Sequence, residues 1–204
     1  MDLAKIEQLA EKLMAHRKVH AEREVGGAHA HGKRVAVLAA ELKKRIFPGE
    51  HGISDELKAA AWFHDVGKGI EPHARYGAAI TREALSGLCT KEQLDEICAY
   101  VSEHAYRDPQ NNSYSANTKL LQDADLLDHY GTFAVWMDFF YDSHKEKSFS
   151  ESAVDNDFHL EKHRKTARDA LNYNESKRIF DEKIAFVSAF YARMRIEAEG
   201  LIAD

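Results

Sequence analysis

The sequence predicts an all-α protein, and three observations carry that reading. Apolar residues recur at three- and four-residue spacing through nearly every segment, the period of a helix with one buried face. Glycine and proline fall between these segments, as at Gly26-Gly27, Pro48-Gly49 and Gly87. No stretch shows the period-two alternation of a half-buried strand.

The elements follow in order. Leu3, Ile6, Leu9 and Leu13 define a first amphipathic helix that fades near Glu22-Arg23-Glu24 and is broken at Gly26-Gly27. His31, Val35, Leu38 and Leu42 form one stripe of a second helix, which stops at Phe47-Pro48-Gly49. Ser54 is placed to cap a third, with Asp55 and Glu56 in its first turn to complement the helix dipole. That helix runs through Leu57 and the alanines into His64-Asp65, with Gly67 as its stop. Pro72 suits the first position of a fourth, continuing through Tyr76, Ile80 and Leu85 to Gly87. Thr90-Lys91-Glu92-Gln93 has the form of a capping box and opens a fifth, with Leu94, Ile97, Val101 and His104 on one face. A polar loop spans Arg107 to Ser115. A sixth helix contains Leu120, Leu121 and Asp125 and continues through an aromatic stretch to Phe140. A polar loop is expected from Asp142 to Asp157, then two helices over Phe158–Leu171 and Glu175–Glu197. Ile179, Phe186, Val187, Phe190 and Met194 are the core candidates of the last.

At 204 residues the chain is read as one domain, 1–204, able to bury a core without disulfides. No apolar run approaches the roughly 20 residues that cross a bilayer, and no signal-peptide pattern is seen at the N-terminus. Cys89 and Cys98 form neither a close metal-binding pair nor a disulfide framework. A cytoplasmic protein without a membrane partner is expected. The net charge of −6 argues against a binder of nucleic-acid polymers, which would show a basic face. It is compatible with a small phosphorylated substrate held by a metal and a few cations, and it leaves a homodimer open.

Four residues on three predicted helices carry the chemistry: His31, His64, Asp65 and Asp125. His64-Asp65 closes the apolar run Ala61-Trp62-Phe63. Burying two polar heads there is costly unless both are satisfied, and a divalent cation satisfies both at once. Asp125 lies inside Leu120-Leu121-Gln122-Asp123-Ala124-Asp125-Leu126-Leu127, where a buried carboxylate must be paired or metal-bound. It follows Leu121 by one turn and is the inward choice, with Asp123 and Asp128 as rivals. A nitrogen and oxygen set without thiolate suits a divalent Mn, Fe, Co, Ni or Zn ion.

The order His31…His64-Asp65…Asp125 resembles the signature of the HD-domain superfamily of metal-dependent phosphohydrolases. His31-Gly-Lys-Arg34-Val35 is similar to that family's first-histidine helix. His64-Asp65-Val66-Gly67-Lys68 resembles its central block, and Gln122-Asp123-Ala124-Asp125-Leu126-Leu127-Asp128 its final aspartate block. Leu171-Asn-Tyr-Asn174, Ala185-Phe186, Phe190 and Glu197 look like a subgroup of small stand-alone HD hydrolases. The resemblance implies an HD-type helical bundle that hydrolyses a phosphate ester or anhydride, with nucleotides the foremost substrates. It makes Asp65 and Lys68 the expected catalytic residues and Arg34 a second cation for the phosphate. His73, opening His73-Ala-Arg75-Tyr-Gly77-Ala78, and His104 are implied to contact substrate or hold a second metal. One ion is expected rather than two, because Arg75 lies near His73 and the subgroup resemblance favours a single-ion site. Six ligands with two irons would instead imply an oxygenase, and a metal-binding regulatory module without turnover is the third reading.

Overall fold

The computed structural model describes residues 1–20, 23–50 and 52–202, apart from the side chains of residues 156–162. Nine α-helices and no strand occur among the described residues, and no described helix is long and apolar enough to cross a membrane. The chain divides into two compact units, Met1–Asp125 and Leu126–Asp204.

The first unit holds α1 (Leu3–Met14), α2 (Gly27–Ile46), α3 (Asp55–Phe63), α4 (His73–Ala84), α5 (Lys91–Glu103) and most of α6 (Ala116–Asp128). Helix α3 packs against α1, α2 and α5, and α4 packs on α5. Its core is built from Ile6, Met14, Val35, Leu42, Leu57, Phe63, Leu85, Ile97, Val101, Leu120 and Leu121, all fully buried. Each such aliphatic side chain contributes about 1.5–3 kcal/mol when taken from water. The caps expected from the sequence are present: Ser54 accepts from the Leu57 N–H, and Thr90 and Gln93 form a reciprocal capping box.

Two expectations in this unit are corrected. Helix α1 ends at Met14, because the next residues make tertiary hydrogen bonds instead. The Arg17 guanidinium donates to the carbonyls of Val66 (2.8 Å) and Lys68 (3.4 Å), and the Gly26 N–H donates to Arg17 O (3.0 Å). The expected fade at Glu22 lies outside the described residues. Gly67 is not a left-handed helix stop. Helix α3 ends at Phe63, and the chain winds through successive tight turns, Val66 to Phe63, Lys68 to Asp65 and Ile70 to Gly67. Gly67 is required by close approach: a Cβ there would lie 2.3 Å from His73 O and 2.6 Å from Gly77 N.

The second unit holds the end of α6 with α7 (Thr132–His144), α8 (Phe149–Asp169) and α9 (Asn174–Ala198). The single long helix expected up to Phe140 is two helices, separated at Gly131, whose φ of 81° is outside helical geometry and costs glycine little. The loop expected over 142–157 is mostly helix. Helix α7 continues to His144, and α8 begins at Phe149 behind a Ser148–Glu151 capping box. Lys147 bridges Asp142 and Asp155 at 3.0 Å each across the intervening turn. On α9 the buried stripe is Phe180, Ile184, Val187, Tyr191 and Met194, whereas Phe186 and Phe190 are exposed to 48% and 36%. The stripe includes Val187 and Met194 as expected but sits one residue around the helix from those two phenylalanines.

Candidate metal centre

The His64-Asp65 pair sits where α3 ends. His64 is the C-cap and keeps helical dihedrals, so its ring projects inward as the next helical residue would, and it is fully buried. Its Nδ1 lies 2.8 Å from Ala61 O, and because a carbonyl only accepts, Nδ1 carries the proton. The Nε2 lone pair is therefore the free end. It is buried without a hydrogen-bond partner, 3.7 Å from Asp125 Oδ1 and 3.9 Å from Asp65 Oδ2.

His31, buried on α2, places Nε2 3.0 Å from Asp125 Oδ1, and its ring meets that of His64 edge-on at 4.9 Å. These four groups converge from α2, the end of α3 and α6, although 94 positions of sequence separate His31 from Asp125. Asp125 is the α6 aspartate whose oxygen stands with His31 and His64. Asp123 is fully buried on the same helix, and Asp128 is buried in the second unit.

His73 and His104 extend the cluster. His104 caps the end of α5 as His64 caps α3, with Nδ1 donating to Val101 O (2.7 Å). His73 opens α4 and its Nδ1 faces Glu71 Oε2 at 3.3 Å. Each presents Nε2 to Asp65 Oδ1 at 3.7 Å, and the two Nε2 atoms face each other at 3.3 Å. With both Nδ1 protons committed elsewhere, two lone pairs confront one another unless a proton or cation lies between. Lys68 also turns inward, its Nζ 3.3 Å from Asp65 Oδ1, and keeps 28% of its side chain exposed. Arg34 is half-buried one turn beyond His31, and Arg75 is exposed.

The electrostatics keep ligands in their ligating forms. Burial alone would raise the Asp65 carboxyl, but the positive charge around it, Lys68 Nζ at 3.3 Å included, outweighs burial and holds the group well below the usual carboxylate range. Burial pushes the His104 imidazole down from 6.5 despite its Asp65 contact, so it stays neutral. Two residues were missed by sequence reading. Arg107 of the polar loop pairs with Asp125 Oδ2, and Arg17 pins the loop that follows Asp65. Neither carries a periodic signal. A basic residue in a loop is visible in sequence, but its distant carboxylate or carbonyl partner is not.

Within the first unit, among the described residues, His31, His64 and Asp65 have ligand atoms within 4.8 Å of one another, as do His64, His104 and Asp125, and Asp65, His73 and His104. An orphaned buried imidazole nitrogen amid carboxylate oxygens fits a divalent cation bound by nitrogen and oxygen. Fold and cluster thus define an all-α protein with a candidate centre for such an ion. The HD-domain family profile matches residues 29–130, half of the chain and the span that contains all of these groups. The protein belongs to the HD-domain family. No curated protein matches it significantly. Its fold is that of solved HD-superfamily hydrolases, among them one from Bacillus thuringiensis, with a TM-score of 0.69 and 20% identity over 96% of this chain and 97% of that one. Bacillus subtilis YpgQ, solved in complex with ADP, matches with a TM-score of 0.67 and 17% identity over 98% of this chain and 99% of its own.

Proposed function

We propose that this HD-domain protein is a metal-dependent phosphohydrolase of the cytoplasm that cleaves a phosphate ester or anhydride of a nucleotide or related small phosphorylated metabolite. The observation that carries the reading is His64 Nε2, buried, unbonded and set between the carboxylates of Asp65 and Asp125. His31, His64, Asp65 and Asp125 are the residues that would hold the ion. When bound, a divalent ion supplies an activated water and neutralises charge on a phosphoryl oxygen.

The chain's own residues do the rest. The Ala61 carbonyl fixes the His64 tautomer, so its lone pair is available without a proton transfer. Asp65 stays ionised in the buried site. Lys68, partly exposed beside Asp65, donates to a substrate phosphate oxygen, and Arg34 adds a second cation from the turn after His31. The ADP held by YpgQ supports a nucleotide as the first substrate to try.

A second reading rests on His73 and His104. Their opposed Nε2 atoms, each 3.7 Å from Asp65 Oδ1, favour a second ion with Asp65 as the bridge. With iron, the same six groups would serve an oxygenase. The test is a panel of nucleotides and phosphate esters with added Mn, Ni or Co, scored by released phosphate or nucleotide product. Metal-dependent cleavage of one class is expected. Metal-loaded protein that cleaves nothing in the panel refutes the hydrolase reading and leaves the regulatory module or, with two irons per chain, the oxygenase.

A further inference from the structure

Asp125 has a partner that the metal reading leaves unused. Arg107 lies in the loop after α5, and its Nη2 donates to Asp125 Oδ2. The other oxygen, Oδ1, faces His31 Nε2 at 3.0 Å and His64 Nε2 at 3.7 Å. The two oxygens of one carboxylate are thus divided between a guanidinium and a pair of imidazoles. Arg107 also donates from Nε to the Gln122 carbonyl at 3.4 Å, so it grips α6 at two points one turn apart.

The loop that carries Arg107 is itself tied to α6. Gln122 is fully buried, and its amide donates to Glu103 O at 3.0 Å and Tyr106 O at 3.1 Å. Thr118 Oγ1 donates to Glu103 Oε2 at 2.8 Å. These bonds fix Arg107 against the helix that bears Asp125 before any ion arrives.

We propose that Arg107 is a positioning residue that holds Asp125 Oδ2 so that Oδ1 alone is aimed at the ion-binding side. The inference rests on the metal reading given above. A carboxylate free to rotate about its Cβ–Cγ bond presents either oxygen, or both, at an entropic cost when one mode is selected. A charge-assisted guanidinium contact removes that freedom. Two other roles for Arg107 make different predictions. As a competitor for the site it would contact Oδ1, the oxygen that faces the imidazoles, and it does not. As a phosphate cation it would keep its guanidinium clear, whereas its Nε–Nη2 edge is already engaged and only 24% of the side chain is exposed.

The experiment titrates chelator-stripped full-length protein with Mn(II) by calorimetry and with Co(II) by visible absorption. Partners of ligating carboxylates typically change metal affinity about 10- to 100-fold, and Arg107→Ala is expected to weaken both ions by that factor. The Co(II) bands should shift as the Asp125 binding mode relaxes. Arg107→Lys, which keeps one charged donor and serves if the alanine variant folds poorly, should recover part of the affinity. Unchanged affinity and spectrum in Arg107→Ala would overturn the inference, as would tighter binding. A raised KM for a phosphate substrate at unaltered metal affinity would also overturn it and assign Arg107 to substrate. Asp125→Ala in the same titration separates the two levels. Loss of the ion there but not in Arg107→Ala sinks this inference alone, and wild-type protein that binds neither ion sinks the metal reading itself.

Discussion

Replacing Gly67 by alanine tests how the ligand-bearing loop is seated against α4. The added Cβ would stand 2.3 Å from His73 O, 2.6 Å from Gly77 N and 2.9 Å from Gly77 Cα. All three neighbours are backbone atoms, so no flexible side chain can yield. Side-chain Cβ atoms do not pack closer than 3.0 Å, and restoring that separation from 2.3 Å moves α4 or the loop by at least about 0.7 Å. His73 opens α4, so the shift reaches its imidazole and its 3.3 Å contact with His104. Overpacking of this kind costs about 1–3 kcal/mol. For a chain of this size each kcal/mol lowers Tm by about 2–4 °C, so a fall of about 2–12 °C is expected in calorimetric melts of the metal-free variant. Metal affinity measured on the same preparation should fall with it. An unchanged Tm together with unchanged affinity would refute the claim that glycine is kept here by close approach.

Three further outcomes are expected. Lys68→Ala should leave metal content intact while lowering turnover on the order of 10²-fold, the usual loss for one transition-state donor, and unchanged kinetics would return Lys68 to a surface charge. Ser148→Ala should cost about 1 kcal/mol through loss of the α8 capping box, read as a lower Tm with site chemistry untouched, and an unaltered melt would show that α8 does not depend on its cap. Metal-free protein should lose stability on acidification below pH 6.5. His104 has a folded pKa depressed by burial, so as pH falls through 6.5 the unfolded chain takes up a proton that the folded one refuses. His104→Gln should flatten that slope in melts across pH 7.5 to 5.5, and an identical slope would contradict it.

Local signals explain what was legible in the sequence. The caps at Ser54 and Thr90 and the stripe His31, Val35, Leu38 and Leu42 depend on residues within a few positions of one another. The structure contains the caps and buries all of the stripe but Leu38, which is half-buried. The four residues read as metal ligands come together because each sits on, or at the end of, a helix whose apolar face was itself readable. The misses have tertiary causes. Helix α1 stops early because Arg17 finds partners about fifty residues away. Gly131 lies between two strongly helical runs, and nothing in its neighbours marks the positive φ that divides them. On α9 several apolar residues compete for the inward face, and packing with α7 and α8 selects Tyr191 over Phe190. The role of Gly67 was invisible for the same reason, since the atoms that exclude a Cβ belong to the next helix.

The central claim is that His31, His64, Asp65 and Asp125 hold a catalytic divalent ion. Elemental analysis of purified protein after loading with Mn, Fe, Co, Ni or Zn, run beside Asp125→Ala, tests it most directly. The account predicts a transition metal bound stoichiometrically by the wild type and sharply depleted in the variant, because one of two charged ligands is gone. Wild-type occupancy in Asp125→Ala, or a wild type that retains no metal from any of the five, would contradict it.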